Sequence, residues 1–366
     1  MDKNYSQYPW TLISRGADLS GVATSSSELY GRGLAATYDV QSGDIIFKLP
    51  ASLIADSSLI ATQATGFAHA DLILASLLLE ASALAEHDWS DYAAAVPPRL
   101  VDLPIWWNAF PNSFNRTLSY IRRSKRLSGL HATALASSKL LTGTHAKFAQ
   151  LYASHPSKHV RRAVCDRRSY ARAVAWVGSR AFALPGTGRS GTHQHKALVP
   201  VLDLLNHPSR LGASSNVEWT MTTTRSVAAA AQQTSSEDYL IVRAISSIKA
   251  GDPLLHDTYG STRFAASDSG GDADVDFFLT YGFVPELVQQ NKPQLAKALA
   301  RVSRLAAEES QIEGEEADEG GWPELPPFCL EPMSTLRLGK QKAKRKRKRR
   351  RSSSERAAQL SPRHEC

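Results

Sequence analysis

The hydrophobic and polar positions divide the chain into a β-type start, a long helical middle and a second β-type part. Between 28 and 50, short runs of β-forming residues alternate with glycine-containing turns. This predicts two strands, "GRGLAAT" and "DIIFKLP", around a turn at 42–44. From about 69 to 182 the chain is rich in Ala and Leu, which predicts helices broken by Pro97, Pro98 and Pro104. Strand patterns and a last helix are then predicted at 198–202, 216–221, 239–248 and about 292–307.

The composition changes abruptly after residue 307. Residues 308–319 hold seven acids, whereas residues 340–351 hold ten Lys and Arg and no acid. The formal net charge of +8 therefore belongs to this basic run, and −2 is left for all other residues. Because such a composition buries too little apolar surface to fold alone, 308–366 is predicted to be a disordered charged tail. Its basic run is typical of a nuclear-import signal or of an arm that contacts nucleic acid.

Cysteine usage and apolar patterning bear on where the protein is found. Three scattered cysteines, Cys165, Cys329 and Cys366, form no CxxC pair, which predicts neither a disulfide framework nor a cysteine–zinc cluster. The first residues lack the apolar stretch of a secretion signal. The most apolar segment, 72–85, is too short to span a bilayer and is predicted to be a buried helix. We therefore expect a protein of the nucleus or cytoplasm with no membrane contact.

The helical middle is locally basic between 116 and 172, where Lys and Arg recur in pairs. Such a pattern is most often a solvated helix face, and less often a docking surface for an acidic partner.

Four segments carry a more specific signal. They are "YGRGLAAT" at 30–37, "SRAF" at 179–182, "VPVLDLLNHPSRLGASSNVEW" at 199–219 and "DTYGS…DFFLTYGFVPE" at 257–286. In this order and spacing they resemble the SET-domain methyltransferases, in the subgroup typified by the Rubisco large-subunit lysine methyltransferase. A Trp-x-x-Tyr…Pro…Pro…Trp pattern at 89–107 also resembles that subgroup.

The resemblance covers about residues 8–300 and implies an α+β fold, with a β-rich SET core of small sheets split by a helical insert. It places the first SET strands at about 8–60, the insert at about 69–182 and the second SET part at about 183–286. A residual helix, 287–307, stands where relatives usually carry a helical substrate-binding domain, so the C-terminal helical part is expected to be shortened. No cysteine clusters of the kind that flank many histone-directed SET domains are present.

The resemblance also implies the chemistry, which is methyl transfer from S-adenosyl-L-methionine to a protein amine. Tyr259 matches the catalytic tyrosine, which aligns the target nitrogen with the methyl group at the mouth of a narrow channel. The other matching residues are expected to bind the cofactor or line the channel. They are Tyr30, Gly31 and Arg32 through main-chain atoms, Arg180 near the cofactor carboxylate, Asn206 and His207, and the aromatic pair Tyr281 and Phe283. No metal ligand set is predicted.

The expected function is an S-adenosyl-L-methionine-dependent protein N-methyltransferase that acts on a lysine of a protein substrate. The residues do not distinguish this from a protein-histidine methyltransferase on the same fold, nor do they reveal the substrate. A catalytically weak SET-like binding module is a further alternative. It is favoured by the shortened C-terminal part and by Asp274, which stands where the family usually has Asn. Import receptors or nucleic acid are possible partners of the 340–351 run.

Overall fold

The computed structural model describes residues 12–27, 31–60, 69–96, 103–110, 113–184, 195–208, 214–222, 238–257, 278 and 292–312. All of them belong to one compact unit that extends to Glu324. The strands are β1 (Val22–Ser27), β2 (Gly31–Ala36), β3 (Ile45–Pro50), β4 (Ala55–Asp56), β5 (Phe182–Leu184), β6 (His195–Leu198), β7 (Val217–Thr222) and β8 (Tyr239–Ala244). The helices are α1 (Ala70–Ala83), α2 (Ser90–Ala95), α3 (Pro104–Ala109), α4 (Asn115–Arg123), α5 (Ser128–Leu151), α6 (Lys158–Cys165), α7 (Arg167–Arg180) and α8 (Pro293–Ile312).

The strands form three small antiparallel sheets. β1 pairs with β2, β8 lies between β3 and β7, and β6 lies between β4 and β5. The two strands predicted around the turn at 42–44 are present, but they do not pair with each other: β2 pairs with β1, and β3 pairs with β8. Gly43 allows the sharp turn between them because it adopts a φ of +91°.

The helical insert is confirmed. α1 is its central element and buries Leu74 and Ala75 completely, as its apolar sequence predicts. It packs against α2, α6 and α7. Pro104 does not break a helix but begins one, because its missing N–H is not needed at the first position of α3. Among the described residues, no helix is long and apolar enough to cross a membrane.

The last helix, α8, continues past residue 307, where the disordered tail is predicted to start, to Ile312. The reason is Glu309, which is only 6% exposed. Its carboxylate accepts hydrogen bonds from the backbone of Arg116 (2.6 Å) and Thr117 (3.0 Å) and from the Thr117 hydroxyl (2.6 Å). It thereby caps the start of α4, where the N-cap residue Phe114 has no side chain that can do so. An acidic residue of the predicted tail is thus part of the core.

Two further details differ from the sequence-based predictions. The strand predicted at 198–202 ends at Leu198, because Pro200 has no N–H for a ladder and the backbone turns at Val201. The strand predicted at 239–248 ends at Ala244, and Ile248 forms an isolated bridge to Val40.

Candidate functional site

The segment after β6 makes a strained turn before it reaches Asn206. Val201 has φ +69° and ψ −47°, and the backbone N–H of Leu202 donates to the Pro200 carbonyl at 2.8 Å. These are the features of a γ-turn with positive φ, which is rare for a β-branched residue. The turn is held by burial, since Val199 and Leu202 are fully inaccessible to solvent. It reverses the chain, so that 202–207 leads away from β6 towards β2.

Asn206 meets β2 at Gly33. A Cβ on Gly33 would lie 1.9 Å from Asn206 Nδ2, so the amide occupies the space that any larger residue at position 33 would need. Among the described residues, the amide of Asn206 forms no hydrogen bond and remains half-buried. The Gly-Arg-Gly sequence of β2 therefore permits a close approach between a strand and a polar side chain.

The segment 251–257 crosses between these elements. The backbone N–H of Leu254 donates to the Leu34 carbonyl of β2 at 2.8 Å, and that of His256 donates to the Asn206 carbonyl at 3.0 Å. On its other side, the Asn216 amide accepts from Leu255 N at 2.7 Å and donates to the Pro253 carbonyl at 2.9 Å. The crossing segment is thus held on both sides, and it leads directly to residue 259.

His207 is fixed by an acid of the crossing segment. Its Nε2 lies 3.1 Å from Asp257 Oδ1, and Asp257 N donates to the Ser215 hydroxyl at 2.7 Å. Burial lowers the pKa of His207, although Asp257 opposes the shift. The ring is therefore neutral at neutral pH, and its Nε2–H donates to the carboxylate, which leaves Nδ1 as an acceptor. Burial also lowers the pKa of His256 to about 4, so this histidine is neutral as well.

Arg180 connects the insert to the same turn. It is the last residue of α7, its Nη1 donates to the Asp203 carbonyl, and its guanidinium carbon lies 5.0 Å from the centre of the Trp176 ring. The Asp203 side chain, which is 4% exposed, accepts from the Tyr92 hydroxyl at 2.7 Å. That hydroxyl accepts in turn from Trp176 Nε1 at 3.0 Å. The helical insert therefore holds the turn that precedes Asn206 through hydrogen bonds to both the backbone and the side chain of Asp203.

The structure brings part of the predicted site together. Arg180 of α7 binds the loop after β6 at the Asp203 carbonyl, and Asn206 and His207 follow in that loop, with Asn206 against Gly33. Gly31 and Arg32 lie in β2, opposite Ser27 and Ser26 of β1. Tyr30, Tyr259, Tyr281 and Phe283 lie outside the described residues, as does Asp274. No group of His, Cys, Asp and Glu in the described part of the chain is arranged to hold a metal ion.

Four residues of this region were missed by sequence reasoning: Gly33, Tyr92, Asp203 and Asn216. Asp203 had a signal, because it is the one acid within the apolar run 199–205. An acid in such a run is buried and needs a donor, here Tyr92. The pairing of Gly33 with Asn206 had no local signal.

No protein-family model and no curated protein match the chain. Among solved structures, the SET domain of LSMT bound to lysine and AdoHcy matches with a TM-score of 0.59 and 19% identity. The match covers 78% of this chain and 58% of that one. Rubisco LSMT bound to AdoMet matches with a TM-score of 0.54 and 19% identity over 78% of this chain and 57% of that one.

A third match, the SET domain of LSMT bound to MeLysine and AdoHcy, has a TM-score of 0.56 and 18% identity, with 78% of this chain and 57% of that one covered. The chain thus spans less than two thirds of the length of these neighbours. At the level of the fold, the resemblance seen in the sequence is confirmed: the chain has an α+β, SET-like architecture with small antiparallel sheets and a helical insert.

Proposed function

We propose that the protein is an S-adenosyl-L-methionine-dependent protein N-methyltransferase that acts on a lysine side chain. One observation carries the proposal: in a SET-like fold, Arg180 binds the loop after β6 at the Asp203 carbonyl, and Asn206 and His207 follow in that same loop. Solved structures with this fold are described as bound to AdoMet or AdoHcy, and some of them also to lysine. The activity, the cofactor and the lysine target are all part of the proposal.

The residues at the site fit the cofactor. The Asn206 amide, held against Gly33 and without a partner among the described residues, has both a donor and an acceptor available. The Arg180 guanidinium has further N–H groups beyond the one that binds the Asp203 carbonyl, and it is suited to a carboxylate. These residues would hold the amino-acid part of the cofactor. When bound, S-adenosyl-L-methionine supplies a methyl group that is attached to a positively charged sulfur.

The remaining chemistry falls to alignment and to the protonation state of the target amine. The two described histidines near the site are neutral, because burial lowers the pKa of each. A neutral environment that excludes water lowers the pKa of a buried lysine, which favours the uncharged, nucleophilic amine. We propose that Tyr259, two residues beyond Asp257, orients that nitrogen. Catalysis would then rest mainly on positioning and on the exclusion of water.

The direct test is transfer of label. Purified full-length protein is incubated with methyl-labelled S-adenosyl-L-methionine and a cell lysate, and the modified side chain is identified by mass spectrometry. Methyl-lysine is the expected product. Methyl-histidine would move the protein to the histidine alternative. Binding of the cofactor with no transfer to any protein would support the binding-module alternative and contradict the proposal.

Tyr259→Phe separates the catalytic assignment from the binding assignment. We expect turnover to fall by about 100-fold or more, because the nitrogen is no longer aligned, whereas cofactor affinity changes little. Unchanged turnover would show that Tyr259 is not the catalytic tyrosine.

We further propose that the 340–351 run directs the protein to the nucleus. Removal of these residues should shift a tagged protein from the nucleus to the cytoplasm. An unchanged nuclear signal would refute this assignment.

A further inference from the structure

The part of the helical insert that begins at residue 113 carries a strong excess of positive charge, which the proposed methyl transfer does not use. Residues 113–184 contain fourteen Lys and Arg and a single acid, Asp166. That acid already has a structural task, because its carboxylate accepts from the backbone of Ser169 and caps α7. Residues 113–184 therefore have no other acid with which to neutralise their cations.

Some of these cations have structural partners. Arg116 pairs with Glu308 at 3.1 Å, and Arg168 lies over the Phe110 ring at 5.5 Å. Six others, some of which also have partners, are exposed at the surface and are together called the basic surface. Its members are Arg122, Arg123, Lys125, Lys147, Lys158 and Arg162.

The positions of these residues are not explained by helix stability alone. Arg122 and Arg123 stand in the last turn of α4, where cations favour the helix dipole. Lys158, by contrast, is the first residue of α6, and Arg167 and Arg168 begin α7, at the helix ends where cations are disfavoured. Helix stability therefore does not account for the positive charge at Lys158.

The basic surface is extended. Arg122, Arg123 and Lys125 precede the start of α5, whereas Lys147 lies near its end and Lys158 and Arg162 follow it. Lys147 lies nineteen residues beyond Ser128, the first residue of α5, so the two groups are about 29 Å apart along this helix. This length is most of one turn of a nucleic-acid duplex, which is about 34–36 Å.

The chemistry of the surface favours nucleic acid over a protein partner. Protein interfaces are anchored by exposed aromatic or large apolar side chains. Within the described part of the insert, Leu151 is the one large hydrophobic side chain that is exposed. The same lack of aromatic rings disfavours single strands, whose bases stack on such rings. Half of the members are arginines, whose guanidinium groups bind phosphates in a bidentate manner.

We propose that the basic surface binds the phosphate backbone of double-stranded nucleic acid without reading its sequence. The contacts would be electrostatic and therefore sensitive to salt. The proposal is independent of the methyltransferase activity, and it concerns a part of the molecule distinct from the 340–351 run.

The test uses the full chain, so that the 340–351 run is present in every sample. Binding to a fluorescently labelled 20-base-pair duplex is measured by anisotropy between 50 and 200 mM KCl. Two triple variants, R122Q/R123Q/K125Q and K147Q/K158Q/R162Q, remove three charges each. The matched control, R15Q/R243Q/K249Q, removes three charges from the β-rich part. Circular dichroism verifies that all variants are folded.

For each insert variant, we expect the slope of log affinity against log salt to fall in magnitude by about 3. Affinity near 100 mM salt should fall by about 10- to 100-fold, and the control should lose far less. Equal losses in the control and the insert variants would show that net charge or the 340–351 run carries the binding, and would overturn the proposal. The same variants are also titrated with a polyglutamate peptide. If the insert variants lose binding to this peptide while their duplex binding is unchanged, the proposal is overturned in favour of an acidic protein partner.

Discussion

Gly33→Ala tests whether the Asn206 amide is positioned for a ligand by the strand it touches. The added Cβ would lie 1.9 Å from Asn206 Nδ2 and 3.0 Å from its Cγ. Since non-bonded carbon contacts are comfortable at about 3.5–4.0 Å, the amide must move by more than about 1 Å. The nearest atom, Asn206 Nδ2, is the end of a side chain and not part of the backbone. We therefore expect the Asn206 side chain to move and β2 to stay in position.

Two magnitudes follow from this geometry. The cost in folding free energy is that of modest overpacking, about 1–2 kcal/mol. Cofactor affinity should also fall, because an amide displaced by more than about 1 Å loses its hydrogen bonds to the cofactor. We expect S-adenosyl-L-methionine to bind about 10- to 100-fold more weakly. Isothermal titration calorimetry measures the affinity, and urea unfolding measures the stability.

Gly178→Ala is the matched control. It lies in α7, and no heavy atom stands within 4 Å of the Cβ that it would gain. Alanine is the better helix former by about 0.5–1 kcal/mol, so this variant should be as stable as the parent or more so, with cofactor affinity unchanged.

The double variant Gly33→Ala/Asn206→Ala isolates the contact. Replacing Asn206 removes Nδ2, Cγ and Oδ1, the three atoms nearest to the new Cβ. The double variant should therefore be as stable as Asn206→Ala alone and should bind the cofactor as weakly. Parent-like affinity in Gly33→Ala would show that the position of this amide does not matter for binding, and the assignment of Asn206 would be wrong.

Three further predictions concern the supports of the fold. Tyr92→Phe removes the donor to buried Asp203 and should cost about 2–3 kcal/mol in urea unfolding. It should also weaken cofactor binding in calorimetry, and a loss of stability with full affinity would contradict the coupling. Glu309→Gln should cost about 2 kcal/mol because the α4 cap loses its charge, whereas Glu308→Gln, at an exposed pair, should change stability by less than about 0.5 kcal/mol. Burial lowers the pKa of His145 from 6.5 to about 4. As pH falls from 6.5 to 4, His145 is therefore protonated in the unfolded chain but stays neutral in the folded chain. The free energy of unfolding should decrease by about 3 kcal/mol over this range. Urea unfolding at several pH values should show that His145→Gln removes this part of the pH dependence.

Much of the secondary structure was predictable because it depends on local pattern. The Ala- and Leu-rich repeat from about 69 to 182 predicted the helical insert, and α1 buries its apolar side chains as expected. β7 was predicted to within a residue at each end, since its β-forming residues stand between polar loops. The ordered motifs also indicated the SET-like fold, through their resemblance to the SET-domain methyltransferases.

Other features were beyond the sequence because they join distant residues. Tyr92 and Asp203 are 111 positions apart, and the residues around each of them do not indicate that the two form a hydrogen bond. The end of the strand at Leu198 follows from a positive φ at Val201, which only surrounding packing can impose on a β-branched residue. Glu309 is likewise held in place by N–H groups at the start of α4, a helix that precedes it by almost two hundred residues.

The sequence by itself therefore determined which residue types the site contains and which segments are helices, because composition and periodicity are properties of neighbouring residues. The tertiary structure decided how those residues are held. It placed Gly33 against Asn206, Asp257 against His207, and the insert against Asp203. The physical reason is that a buried polar group takes its partner from whatever surface the fold brings to it, and that surface is set by packing across the whole chain.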